Sequence, residues 1–209
     1  MRKSNLGTSL KYSEYQQKRK KRALFMVVFA VIFLPLVVLL SKVGYDKYID
    51  EFYPLEYTDF VERYAAENGL EKEFVYAVIK CESGFDPEAV SGIGARGLMQ
   101  LTEETFDWVK FRMNDPREEN TTYSDLFDPE TNIRYGTYLL GILMEDFDQN
   151  EVNVLCAYHA GRTQTFSWLS DPKYSTDGET LYYIPFDNTR TYVDRVTKAK
   201  KMYQDLYFS

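Results

Sequence analysis

A single glutamate, Glu82, ends an apolar run that has helical spacing. Phe74, Val78 and Glu82 are four residues apart, and Ile79 precedes Glu82 by three, so the carboxyl projects from the face that carries the core residues. A carboxylate in apolar surroundings is costly to ionise, and its pKa therefore rises. A carboxyl that stays protonated near neutral pH can act as a general acid. The alternative is a glutamate at a helix C-terminus that simply meets water.

A glycine-rich loop follows this glutamate and closes on two apolar residues and an amide. Ser83-Gly84 supplies a helix stop, and residues 91–100 then read SGIGARGLMQ. Such glycines permit positive φ angles and let the backbone approach a ligand closely. A wholly structural loop has little need for this mixture of residues, which therefore favours a binding site beside Glu82.

Five motifs follow one another at the spacings of a known family. They are ESGF at 82–85 with Ser91 nine residues after the glutamate, GARGLMQ at 94–100, DPETNI at 128–133, AYHAG at 157–161, and a stretch from Ile-Pro at 184–185 to TRTYV at 189–193. On these motifs, residues 53–205 resemble the soluble-lytic-transglycosylase-like domains, which cleave peptidoglycan and have a goose-lysozyme-like fold.

The resemblance implies a mechanism with one carboxyl and no metal or cofactor. Glu82 is then the sole catalytic acid and base, which cleaves the bond between N-acetylmuramic acid and N-acetylglucosamine and leaves a 1,6-anhydro end. The resemblance also implies that six residues contact the substrate, through hydrogen bonds, an apolar wall and aromatic rings: Ser91, Met99, Gln100, Tyr158, His159 and Tyr192. The partner that the resemblance implies is a peptidoglycan glycan strand.

Two positions depart from the family pattern. His159 stands where the family usually has asparagine, and it is the chain's 1 histidine. We interpret it as a polar group that lines the cleft or bonds the backbone, rather than as a catalyst. Asn188 stands where an acidic residue commonly precedes Thr-Arg, which puts a local ion pair in doubt.

Apolar spacing and helix stops predict the elements that must position these residues. This spacing predicts a mainly α fold, with at most a short hairpin near residues 171–178. The resemblance implies that the fold is lysozyme-like, within the α+β superfamily. Asp128-Pro129 is a good helix start, with Asp as N-cap and Pro at the first helical position. The predicted helices cover residues 55–68, 71–83, 102–113, 129–147, 151–160 and 189–207, and residues 114–125 are predicted as a loop.

The N-terminal part of the chain predicts a membrane anchor. Residues 23–40 contain no charged side chain, and eighteen apolar residues are close to the ~17–25 that span a bilayer. We therefore divide the chain into a basic cytoplasmic tail (1–22), a transmembrane helix (23–40), a juxtamembrane linker (41–52) and a catalytic domain (53–209). A cleaved signal peptide is the alternative, but its apolar core is shorter and it ends at a small-residue cleavage site.

Charge predicts the orientation of this anchor and excludes one class of partner. The cluster KRKKR at 18–22 precedes the apolar run, so the positive-inside rule puts the N-terminus in the cytoplasm and the catalytic domain outside. The chain has a net charge of −7 despite this basic tail, so the remainder is strongly acidic. A strongly acidic body argues against nucleic acid as a partner.

Several alternatives stay open at this stage. A muramidase would deliver water to the cationic sugar, and an inactive domain would bind glycan as a scaffold in a wall or secretion complex. Cys81 and Cys156 either form a disulfide outside the cytoplasm or are two small buried thiols. The sequence does not separate wall remodelling from a role in secretion or conjugation.

Overall fold

The computed structural model describes residues 4–208, which divide into two compact units between Pro54 and Leu55. Residues 1–3 of the predicted cytoplasmic tail and the last residue of the predicted catalytic domain lie outside this range. The first unit is one helix, α1 (Ser4–Phe52), with Pro35 inside it. By length and composition, its segment Ser13–Phe52 can cross a membrane.

Residues 41–52, the predicted juxtamembrane linker, are the last part of α1. Polarity suggested a linker here, but the lysines, acids and aromatic residues of this stretch are all compatible with a helix. Gly44 alone, at a cost of about 1 kcal/mol, does not break it.

The second unit is mainly helical, as predicted. Its helices are α2 (Thr58–Glu67), α3 (Lys72–Glu82), α4 (Glu103–Met113), α5 (Pro129–Asp146), α6 (Glu151–Ala160), α7 (Arg162–Leu169) and α8 (Asp187–Tyr203), followed by a π-helical turn, Gln204–Phe208. No strand occurs within residues 4–208, where the only β-type pairing is the two isolated bridges Val90–Arg96 and Arg96–Leu101.

Three features of this unit differ from the sequence prediction. Helix α7 was not predicted, because its octapeptide has little amphipathic pattern and follows Gly161, which separates it from α6. The possible hairpin near 171–178 is instead a turn in which the Asp177 carboxylate accepts the backbone N–H groups of Glu179 and Thr180. Short 3-10 helices, Pro116–Glu118 and Tyr123–Phe127, lie in or extend from the predicted loop.

Helix α3 is the centre of the core. Six consecutive residues, Phe74–Ile79, are buried, because α2 packs on one side of the helix and α8 on another. Helix α5 packs against α2, α4 and α6, and α6 packs against α8. The last residue of the central helix is Glu82, so the fold places one carboxyl at the point where the core meets the glycine-rich loop.

Candidate active site

The Glu82 carboxyl is partly buried at the C-terminal end of α3. Burial raises its pKa from the usual 4.5 to about 7, and the neighbouring Tyr192 hydroxyl and Arg195 guanidinium each lower it by a smaller amount. A carboxyl with a pKa in this range can exist in both its protonated and its ionised form near neutral pH. Glu82 can therefore both donate a proton and accept one.

Two tyrosines from different helices lie beside this carboxyl. Burial raises the pKa of both Tyr158, on α6, and Tyr192, on α8, and the charge of Glu82 raises each further. The Tyr158 hydroxyl donates a hydrogen bond of 2.7 Å to the Met99 carbonyl. The Tyr192 hydroxyl is buried, and within residues 4–208 it makes no hydrogen bond of normal geometry, although Glu82 lies nearby.

The His159 ring packs against the Tyr192 ring, with 4.7 Å between the ring centroids. Its Nδ1 lies 3.0 Å from the Thr189 hydroxyl oxygen, and Thr189 is fully buried. Burial lowers the His159 pKa, and the charge of Arg195 lowers it further, so the ring is neutral at pH 7. The histidine thus supplies a neutral polar edge beside Tyr192 rather than a second charge.

The glycine-rich loop is tied to the end of α3 by Ser83. The Ser83 hydroxyl donates to the Leu98 carbonyl at 2.9 Å and accepts the Phe85 N–H at 3.1 Å. Phe85 itself has a φ of 70°, a left-handed conformation that costs a non-glycine residue about 1–2 kcal/mol. The ESGF turn therefore fixes the loop relative to Glu82.

Comparison with known proteins identifies the family of this chain. The transglycosylase SLT domain matches residues 59–180, which is more than half of the chain. This chain belongs to the transglycosylase SLT domain family. The predicted family is thereby confirmed, and with it the mainly helical fold.

Named relatives of this SLT domain include both soluble and membrane-bound proteins. It is 30% identical over 158 residues to the soluble lytic murein transglycosylase of Escherichia coli (strain K12), covering 75% of this chain and 24% of that protein. It is 30% identical over 168 residues to the membrane-bound lytic murein transglycosylase C of Serratia proteamaculans, covering 71% of this chain and 47% of that protein. The chain thus spans about a quarter of the first relative and about half of the second.

Solved structures show the same fold. An inactive mutant of lytic transglycosylase Slt from Pseudomonas aeruginosa aligns with a TM-score of 0.66 at 32% identity, over 75% of this chain and 25% of that one. The 70 kDa soluble lytic transglycosylase of Escherichia coli aligns with a TM-score of 0.69 at 29% identity, over 77% of this chain and 26% of that one.

The SLT domain contains a structural residue that the sequence did not single out. Asn132, fully buried on α5, accepts the Met99 N–H at 2.8 Å and donates to the carbonyls of Arg96 at 3.0 Å and Leu126 at 2.8 Å. A Cβ on Gly97 would lie 2.2 Å from both the Asn132 amide nitrogen and the Leu126 carbonyl oxygen. Asn132 belongs to the DPETNI motif, but the motif alone does not indicate that this asparagine holds the glycine-rich loop.

Three of the predicted substrate contacts lie on this loop, and each has local partners. The Ser91 hydroxyl accepts the Ala95 N–H at 3.0 Å, which leaves its own proton available. The Gln100 amide nitrogen donates to the carbonyls of Ala89 and Gly97, at 3.1 and 2.9 Å, and these bonds support a backbone φ of 49°. The Gln100 side chain therefore shapes the loop with its nitrogen, and its oxygen remains the group that can meet a ligand.

Met99 lies deeper than an apolar wall of the cleft would. Its side chain is fully buried and contacts Gly136 of α5, where an added Cβ would come within 2.3 Å of the sulfur. The Met99 side chain therefore supports the loop from below. Its backbone carbonyl accepts the hydrogen bond from Tyr158, which lies beside Glu82.

The remaining sequence questions concern Arg190 and the cysteines. Arg190 does form an ion pair, with Asp187 rather than with the residue at 188, and it also donates to the Ile184 carbonyl at 2.9 Å. Cys81 and Cys156 are both free thiols, the first partly buried and the second buried, which matches the reading of two small apolar residues.

Proposed function

We propose that this chain is a membrane-anchored peptidoglycan lytic transglycosylase. It would cleave the β-1,4 bond between N-acetylmuramic acid and N-acetylglucosamine and leave a 1,6-anhydro-muramic end, with Glu82 as acid and then base. The observation that supports this most is one partly buried carboxyl at the end of the central helix of an SLT domain, where burial raises its pKa to about 7.

The reaction uses one carboxyl twice. Protonated Glu82 gives its proton to the glycosidic oxygen, the bond from that oxygen to C1 of the muramic sugar breaks, and the N-acetylglucosamine end leaves as an alcohol. The substrate's own N-acetyl group stabilises the cationic sugar. The ionised Glu82 then takes the proton of the C6 hydroxyl, whose oxygen bonds to C1. No water is consumed, and Glu82 ends the cycle protonated.

The pKa of Glu82 suits both halves of this cycle. A group that donates and then accepts a proton works best when its pKa lies near the working pH. A second carboxyl would be expected in most other glycosidases, about 5–9.5 Å from the first. The described side chains with a resolved effect on the Glu82 pKa are Tyr192 and Arg195, and neither carries a carboxyl. This composition favours a scheme with one carboxyl.

The other residues would hold the sugar. In this proposal the Ser91 hydroxyl and the Gln100 amide oxygen form hydrogen bonds with the substrate. The Tyr158 and Tyr192 hydroxyls would lie beside the reacting atoms, since both tyrosines sense the charge of Glu82. The exposed edge of His159 would contact a neighbouring sugar as a neutral polar group.

The relatives support the same chemistry. The aligned Pseudomonas aeruginosa structure is of a mutant in which Gln replaces a Glu and which is inactive. A further structure is of the 70 kDa soluble lytic transglycosylase with bulgecin A bound. The first structure thus links one glutamate to activity, and the second contains a bound ligand; this chain shares the fold of both proteins.

The test is product analysis with the full chain in detergent. We expect the wild-type chain to release muropeptides with 1,6-anhydro ends from purified peptidoglycan, as read by mass spectrometry, and Glu82→Gln to release none. Glu88→Gln, which changes an exposed acid in the next loop, is the matched control and should keep the activity. Reducing ends would indicate a muramidase instead. Glycan binding without any products would indicate a scaffold.

Helix α1 supplies the proposed anchor. It is long and apolar enough to cross a membrane, and the basic cluster at 18–22 would hold its N-terminal side in the cytoplasm. Protease added to spheroplasts should then digest residues 55–209 while an N-terminal tag stays protected. Protection of residues 55–209 from the protease in intact spheroplasts would indicate the opposite orientation.

A further inference from the structure

Arg195 of α8 reaches across to the end of α3. Its Nη2 donates a hydrogen bond to the Cys81 carbonyl at 2.5 Å, although the two residues are 114 positions apart in sequence. Cys81 directly precedes Glu82, so this bond is formed with the peptide unit that carries the catalytic carboxyl. Arg195 and Tyr192 are three residues apart on α8, and they therefore lie on one face of that helix.

The last carbonyls of α3 show why this bond matters. The final carbonyls of any helix have no partner within the helix. In α3, the Ile79 carbonyl accepts the Ser83 N–H at 3.0 Å and the Lys80 carbonyl accepts the Gly84 N–H at 3.2 Å. Cys81 has the next carbonyl, and Arg195 provides its donor. The guanidinium thus completes the helix end and interacts favourably with its partial negative charge.

The charged and titratable groups around Glu82 come from three helices. Lys80 and Cys81 precede it on α3, Tyr158 and His159 come from α6, and Tyr192 and Arg195 come from α8. Tyr158 and Tyr192 are neutral at pH 7 because their pKa values are raised, and His159 is neutral because its pKa is lowered. Arg195 is the one whose permanent positive charge acts directly on Glu82.

We propose that Arg195 is a positioning residue for Glu82, which fixes the last turn of α3 and keeps a positive charge beside the carboxyl throughout the reaction. The proposal rests on the proposed function and deepens it. The charge is most useful between the two proton transfers, when Glu82 is an anion and must wait for the C6 hydroxyl. The same charge prevents burial from raising the Glu82 pKa even further.

The experiment compares the pH dependence of kcat/KM on soluble glycan strands for Arg195→Gln, Arg195→Lys and the wild-type chain. The acid must be protonated, so activity falls as pH rises through the Glu82 pKa. Removing the guanidinium raises that pKa, and we expect the alkaline limb for Arg195→Gln to move up by about half a pH unit. We also expect the plateau to fall about tenfold, because the turn is less firmly held.

Two further comparisons separate this role from a general effect on the fold. Arg195→Lys keeps the charge, so its alkaline limb should stay at the wild-type pH and its plateau should partly recover. Lys198→Gln removes an exposed positive charge one turn further along α8 and should leave the profile unchanged. High salt should shrink the gap in pH between the wild-type and Arg195→Gln limbs, since Arg195 is exposed and its charge is screened.

The outcomes distinguish this proposal from the proposed function. If the wild-type chain releases anhydro products and the Arg195→Gln limb coincides with the wild-type limb, the role of Arg195 is refuted and the function stands. If Arg195→Lys shifts the limb as far as Arg195→Gln does, the charge is likewise refuted as the cause. A wild-type chain without turnover would overturn the proposed function itself.

Discussion

The Tyr158 hydroxyl donates a 2.7 Å hydrogen bond to the Met99 carbonyl, and this bond joins α6 to the glycine-rich loop across 59 residues of sequence. On the other side of the loop, the Ser83 hydroxyl joins the end of α3 to the Leu98 carbonyl. Two adjacent carbonyls of the loop are thus held by two hydroxyls, one from α6 and one from the residue that directly follows α3. The position of the loop relative to Glu82 depends on both bonds.

Replacing Tyr158 with Phe should lower both stability and activity. The change leaves the Met99 carbonyl without its donor, which costs about 1 kcal/mol of unfolding free energy. Urea unfolding followed by tryptophan fluorescence measures this, since Trp168 is buried in the domain. The matched control is Tyr192→Phe, whose lost hydroxyl has no hydrogen-bond partner of normal geometry among residues 4–208.

Because the Tyr192 hydroxyl has no such partner, Tyr192→Phe should leave the unfolding free energy within about 0.5 kcal/mol of wild type. It should still reduce the rate of anhydro-product release, because the proposed site places this hydroxyl beside the reacting atoms. Equal destabilisation by the two changes would mean that the Met99 bond does not hold the loop. Full activity of Tyr192→Phe would show that the Tyr192 hydroxyl has no role in the proposed reaction.

Two glycines of the same loop should respond differently to alanine. Gly94 and Gly97 both have positive φ, at 85° and 70°, so alanine costs each about 1–2 kcal/mol in backbone strain. At Gly94 an added Cβ meets nothing within 4 Å, whereas at Gly97 it would lie 2.2 Å from Asn132 and Leu126. We expect Gly97→Ala to cost at least about 2 kcal/mol more unfolding free energy than Gly94→Ala. Similar losses of unfolding free energy in the two variants would show that the Asn132 side chain moves aside at little cost.

Asn132→Asp should disrupt the loop although its shape hardly changes. Aspartate keeps an acceptor for the Met99 N–H but faces the Arg96 and Leu126 carbonyls with oxygen instead of an N–H group. A buried group that loses such partners costs about 2–4 kcal/mol. Asn120→Asp, on an exposed loop position, makes the same change in solvent and is the control. A change in unfolding free energy no larger than the control's would contradict the role of Asn132.

Local sequence signals were sufficient to predict most of the fold. Asp128 caps α5 by accepting the Thr131 N–H at 2.9 Å, with Pro129 at the first helical position, as the dipeptide predicted. The spacing of Phe74, Val78 and Glu82 predicted a carboxyl on the core face of α3, and the Glu82 pKa of about 7 reflects that burial. Each of these signals lies within a few residues of the feature it predicts.

Features that depend on distant contacts could not be predicted in this way. Met99 is buried because Gly136, on α5, has no side chain to exclude it. The role of Asn132 depends on three backbone groups, two in the glycine-rich loop and one in the 3-10 helix Tyr123–Phe127. The role of Arg195 depends on a carbonyl 114 residues away. Helix α7 has weak local periodicity, so the burial of its Trp168 could not be predicted from a local pattern and depends on packing in the folded domain.

The raised pKa of Glu82 also predicts how stability changes with pH. The folded chain holds this proton more tightly than the unfolded chain, whose pKa is near the usual 4.5, so ionisation costs free energy only in the folded state. The contribution is fully present below about pH 4.5 and is lost as pH rises through about 7. The difference between these two pKa values corresponds to a ceiling of about 3–4 kcal/mol, and the partial exposure of Glu82 makes the actual contribution smaller.

Glu82→Gln removes this dependence, because glutamine does not titrate. We expect the variant to exceed wild type in unfolding free energy by about 1–3 kcal/mol at pH 8 and to match it near pH 4. The difference between the two proteins cancels the titration of all other groups. A difference that stays constant from pH 4 to 8 would contradict the burial of this carboxyl.

The most direct measurement is the titration of the Glu82 carboxyl itself. The full chain in detergent micelles, labelled with ¹³C at the glutamate side-chain carboxyl, would be followed by NMR, with the Glu82 signal identified by its loss in Glu82→Gln. We expect a midpoint of about 7, which leaves the group able to give and then take a proton near neutral pH. A midpoint near 4.5, the value of a carboxyl in water, would show that Glu82 is ionised before any glycan arrives and would contradict its role as the acid.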